Sequence, residues 1–168
     1  MNIRKEIKHG WMILLIIVMT FVGTSGSVVA AVSNIETVDD STGSIAIIGT
    51  ASPDVKANGQ DSPITVSSNS PVSITIGLTS GIQTGANADW WFVVSTSAGF
   101  YSWVYPTGWT PGVVTGLQFP LFPFSGLEMF NGLLPVGDYA FYFGVDTTPD
   151  NVLNSPLLYD WVEVHVIN

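Results

Sequence analysis

Along most of the chain apolar and polar residues alternate with a period of two, and that pattern predicts β-strands rather than helices. The clearest run spans residues 72–78, where Val72, Ile74, Ile76 and Leu78 alternate with Ser73, Thr75 and Gly77. Such a run is a strand with one face on a core and the other in water. Less regular runs predict strands over 44–50, 64–68, 89–96, 100–105 and 113–119, and two strong ones close the chain at 138–146 and 157–167. Beyond the first 31 residues no segment has a convincing 3.6-residue period, and a single helical turn is expected near residues 125–131,.

Seven to nine short strands, punctuated by 14 glycines and 10 prolines after residue 31, predict an all-β fold, an antiparallel β-sandwich of immunoglobulin-like or fibronectin-like character. A small barrel is the alternative arrangement. The segment Leu133-Leu-Pro-Val-Gly-Asp-Tyr139 sets a Pro/Gly turn just ahead of a strand tyrosine. In Greek-key sandwiches a tyrosine so placed turns its hydroxyl back to upstream backbone; an ordinary buried strand tyrosine fits the same residues.

The aromatic residues divide the chain. Residues 32–88 contain no Phe, Trp or Tyr, whereas residues 90–161 contain eighteen. The first stretch is therefore expected to supply edge or outer strands, and the second most of the core.

The first 31 residues are of another kind. Arg4, Lys5 and Lys8 precede a strongly apolar run at 11–22 and then a small-residue stretch, the layout of a secretory signal peptide with cleavage after Ala30 or Ala31,. Twelve residues are too few to cross ~30 Å of hydrocarbon at ~1.5 Å per residue. An uncleaved anchor is the competing reading, because residues 11–32 carry no charge. Either reading places residues 32–168, as one domain behind an N-terminal hydrophobic helix, outside the cytoplasm, in the envelope or secreted. With no cysteine in the chain, that domain must be held by its own core.

Charge narrows the functional classes. Residues 32–168 carry twelve acidic side chains against Lys56 alone, with no arginine and one histidine, His165. Such a surface repels nucleic acid and anionic lipid. It also lacks the side chains on which nucleophilic and acid–base catalysis lean, so no enzyme is expected.

Two groups of residues remain as candidate sites. In the block 89–112, Trp90 and Trp91 are strand neighbours and must face opposite ways, while Tyr101, Trp103 and Tyr105 share one face,. Unless both faces are covered, large aromatics stand exposed; Trp90, Trp91, Tyr101, Trp103 and Trp109 are the candidates for stacking on sugars or packing on a protein partner. The loop after residue 146 offers Asp146, Asp150, Asn151 and Asn154 as oxygen ligands for calcium, although the central glycine and terminal acid of a calcium loop are missing,. His165, beside Glu163 on a strand face, lacks a second His or Cys and makes a poor metal site,.

The stretches DWWFVVSTSAGFYSW, GLQFPLFPFSGLEMFNGLLPVGDYAFYFGVD and LLYDWVEVHV resemble a domain of secreted bacterial proteins of uncharacterised function, marked by DWW and LPxGxYxFYFGVD motifs. The resemblance covers residues 70–167 and implies an immunoglobulin-like sandwich and export, with no catalytic residues. In that family the loop after the YFGVD strand has the look of an oxygen-ligand loop. The expectation is thus an exported, non-catalytic module that acts as a structural or protein-interaction component of the envelope or extracellular space, with a carbohydrate-binding module as the alternative. Its partner is a protein or glycan at the cell surface, with membrane contact only if the leader is retained.

Overall fold

The computed structural model describes residues 36–39 and 45–168, with side chains from residue 49 onward. The signal helix expected over residues 1–31 lies outside the described residues. Alternation becomes twelve strands: β1 (Glu36–Asp39), β2 (Ile45–Ile48), β3 (Ser52–Ala57), β4 (Ile64–Ser67), β5 (Val72–Thr79), β6 (Asn87–Thr96), β7 (Gly99–Val104), β8 (Gly108–Pro111), β9 (Leu117–Pro120), β10 (Phe124–Gly132), β11 (Gly137–Asp146) and β12 (Leu158–Ile167). β1 and β2 pair only with each other among the sheets described.

The other strands form a sandwich. The first sheet has the order β3-β5-β10, and the second β4-β12-β11-β6-β7-β8, with β9 taking the part of the β6 edge that β7 leaves free. β4 runs parallel to β12 and every other pairing is antiparallel. Val55, Val72, Ile74, Ile76 and Leu78 of the first sheet meet Trp90, Phe92, Phe141, Phe143, Val145 and Val164 of the second in one core. Burying these side chains, at roughly 25 cal/mol per Å² of apolar area, supplies the cohesion that cysteines do not. The Tyr139 hydroxyl donates to the Pro135 carbonyl at 2.8 Å, which fixes the turn into β11. Burial, helped by Asp138, pushes that hydroxyl up to about 12.

Three expectations need correction. Residues 125–131 are strand, not a helical turn. Two bulges, between Phe124 and Leu127 and between Glu128 and Phe130, add residues to β10 against β5, and each stretches the period-two spacing into the three-residue spacing of a helix. The aromatic-free stretch is not merely peripheral, since β5 is the central strand of its sheet. Finally, the strand expected over 113–119 occupies Leu117–Pro120, because residues 112–116 cross between strands.

Candidate functional site

Trp90 and Trp91 show how the aromatic block is disposed. Trp90 points into the core and is 8% exposed; Trp91 points the other way and is 4% exposed. Both faces of β6 are covered, because Val113, Leu153 and Leu157 from two connecting segments pack over Trp91 and Val93, together with Phe100 and Tyr142. Trp91 is therefore no stacking surface, which corrects the expectation for that residue, whereas Trp90 faces the core. Tyr101, Trp103 and Trp109 are half-buried against the core margin: Trp109 lies 5.8 Å from Phe92 and 6.3 Å from Trp103, centroid to centroid.

Beside that margin lies a groove of about 200 Å³ lined by apolar atoms alone. Trp90 and Phe143 form its floor, Trp103 and Tyr105 one wall, and Leu127 and Met129 of β10 the other. Phe122 and Phe124 close one end, their rings 5.6 and 5.9 Å from that of Trp90. The Trp90 Nε1 donates to the Phe119 carbonyl at 2.8 Å, so the one polar atom of the floor is spent on the protein itself. Tyr105 is 63% and Leu127 52% exposed on the rim, with Phe119 and Phe122 also open to solvent.

Local sequence builds this shape. The β10 bulges direct Leu127 and Met129 to the groove while Phe130 stays in the core, 6.2 Å from Phe141. Gly116 lets the chain pass beneath Trp103: its N–H donates to the Trp90 carbonyl at 2.8 Å, and its carbonyl accepts the Tyr105 N–H at 2.9 Å. A β-carbon there would lie 2.5 Å from the Trp103 carbonyl oxygen, so only glycine fits. Of the residues singled out in the sequence, Trp90 and Trp103 line this groove; Tyr105, Leu117, Phe122, Phe124, Leu127 and Met129 were missed. For Leu117, Phe122 and Phe124 the signal is the run LQFPLFPF, whose prolines stop the alternation that would bury its phenylalanines.

The loop expected to offer calcium ligands is held by hydrogen bonds. Asp146 Oδ1 accepts the Thr148 N–H at 2.9 Å and Oδ2 the Asn154 N–H at 2.7 Å, while Asp150 Oδ1 accepts from the Val152 N–H and the Asn154 amide. Asp89, opposite Asp146 in the β6–β11 register and not anticipated from sequence, accepts the N–H groups of Asp150 and Asn151 through Oδ2. These carboxylates bind the loop to itself as turn-forming Asp and Asn side chains do. Asn151 contributes its backbone N–H there. Among the described residues no three His, Cys, Asp or Glu side chains converge to hold a metal ion.

A second exposed feature lies on the outer face of β11 and β12. Trp161 is 43% exposed, its ring 6.4 Å from Tyr142 with planes 20° apart and 6.0 Å from Tyr159. Burial, then Glu163 and Tyr159, raises the Tyr142 hydroxyl above its ordinary value. Further along the strand His165 Nδ1 sits 2.8 Å from Asp138 and Nε2 4.0 Å from Glu163. No family model, no curated protein and no solved structure matches the chain.

Proposed function

We propose that the protein is an exported, non-catalytic, immunoglobulin-like sandwich that works as a protein-interaction module, with the groove beside β10 as its contact surface. The observation that carries this is the groove's wholly apolar lining beneath an exposed aromatic rim. Large apolar side chains gathered open to solvent at one margin are the kind of surface that protein partners cover. The immunoglobulin-like reading is supported by β4 running parallel to the last strand and by the bond from the Tyr139 hydroxyl to Pro135,. Export rests on the leader. A mature amino terminus near Ala31 or Val32, read by mass spectrometry, is the expected result, and a chain retaining residues 1–31 would argue for the anchor.

The test of contact is a photoreactive side chain installed at Tyr105, with a second at the exposed Ile82 as control. The Tyr105 position is expected to give a discrete, saturable adduct in intact cells that Leu127→Lys abolishes. Equal labelling from both positions, or none from Tyr105, would remove the groove from consideration.

A carbohydrate-binding reading has its own observation, the exposed Trp161 and Tyr159 rings with Glu163 and His165 in line on the same face. Aromatic faces flanked by hydrogen-bonding groups suit neutral sugars, whereas the groove offers a hydroxyl nothing. A glycan panel read by tryptophan fluorescence separates the two: a response lost in Trp161→Ala favours sugar, and a flat response disposes of it.

A further inference from the structure

The groove lies where the sandwich is one strand short. The first sheet ends at β10, while the second continues past β6 to β7 and β8. Among the described residues β10 pairs with β5 alone, so its other edge presents backbone N–H and C=O groups next to an apolar trough. Resting on the groove as the contact surface, we propose that a short extended segment of a partner protein adds alongside β10 and seats large apolar side chains, taken from alternate positions, in the groove.

Three observations choose this occupant. The groove, at about 200 Å³, is smaller than the ~300–1,000 Å³ of small-molecule pockets, and so takes one or two side chains rather than a whole ligand. Its walls expose no polar atom, so anything held firmly there must find its hydrogen bonds on the β10 backbone, the arrangement of strand addition. Charge then sets the outward positions of the segment. Glu128, on the exposed face of β10, accepts from the Ser73 hydroxyl at 2.9 Å and the Asn131 amide at 3.0 Å, and residues 32–168 carry twelve acids against one lysine. The segment is therefore basic or uncharged on its solvent side. The bulges in β10 interrupt its edge, which keeps the added segment short and works against open-ended strand pairing.

The probe is a lysine-capped nonapeptide of alternating threonine and phenylalanine, alongside two N-methylated forms blocked at one or the other alternate set of amides. Binding to the protein is followed by the fluorescence of the groove tryptophans and by amide hydrogen exchange along β10. The parent peptide is expected to shift the fluorescence and slow β10 exchange, and Leu127→Lys to weaken it. One N-methylated form should lose on the order of tenfold or more in affinity, the effect of one to two lost hydrogen bonds, and the other little. If both N-methylated forms bind like the parent, strand addition is wrong while the groove survives as a contact surface. If no peptide alters the fluorescence or the exchange, both readings fail. A concentration-dependent dimer that protects β10 without peptide would make a second copy the occupant and overturn the proposal.

Discussion

At the β3 margin of the sandwich the Val55 amide donates to the Asp160 carboxylate across the two sheets at 2.8 Å, and Lys56 is clasped by Asp54 and Asp61. At the β10 margin the only charged side chain of the strand is Glu128, and the space between the sheets is an apolar trough. Among the described residues both margins face the same problem, an unpaired strand edge. Charge and a cross-sheet hydrogen bond blunt the first; among the described residues only its bulges blunt the second. The contrast teaches that an edge left apolar in so acidic a protein is a feature to be explained by use.

The largest effect is expected where groove and core share a residue. Trp90→Ala removes the groove floor, the bond to Phe119 and contacts with Phe124 and Phe143, and should cost about 3–5 kcal/mol in chemical denaturation, as large-to-small core changes do. A loss under about 1 kcal/mol would mean that the floor belongs to the surface rather than to the core. Gly116→Ala follows, since its β-carbon meets backbone at Trp103; a lowered melting temperature together with loss of peptide binding is the outcome that ties groove shape to this crossing.

The closed margin comes next. Asp160→Ala leaves the Val55 N–H without its acceptor and should cost about 1–3 kcal/mol, with peptide binding at the far margin unchanged. Asp160→Asn keeps an acceptor and removes a charge, so at neutral pH it should be at least as stable as the parent. The pH dependence has a definite sign. Burial raises the Asp160 carboxyl above its ordinary value, bonds from the Val55 and Trp161 amides pull it back, and Asp54 and Asp61 raise it further. A carboxyl that holds its proton more tightly when folded adds stability that is complete below the unfolded value of 3.8 and is lost as pH rises through the raised folded value. The parent should therefore gain on Asp160→Asn as pH falls through that window; parallel stability curves for the two proteins would count against the assignment.

Legibility in the sequence followed the same divide between regular and irregular edges. β5, β11 and β12 were readable because each alternates along much of its length against the core. β3 was not, because Ser52-Pro-Asp-Val-Lys-Ala57 sends only Val55 and Ala57 fully inward and spends its charges on blunting an edge. β10 imitated a helix through its bulges. The groove was invisible for a different reason: it arises from two sheets of unequal width, a property of strand order rather than of any segment. Trp91 was misjudged because cover from residues 113 and 153–157 comes from loops whose sequences carry no sign of where they fold.

The smallest effect on stability is the one that decides whether the open margin is functional. Tyr105→Ala and Leu127→Ser change exposed rim residues that the core does not need, so each should leave the unfolding free energy within about 0.5 kcal/mol of the parent. Peptide affinity should nonetheless fall, and fall further in the double variant, since rim side chains shield the central contact from water. The informative quantity is the ratio between the two effects. Binding lost with stability intact makes the rim a contact surface; stability lost in proportion to binding would show that Tyr105 and Leu127 hold the margin of the sandwich together, and the contrast between its two edges would then be one of composition only.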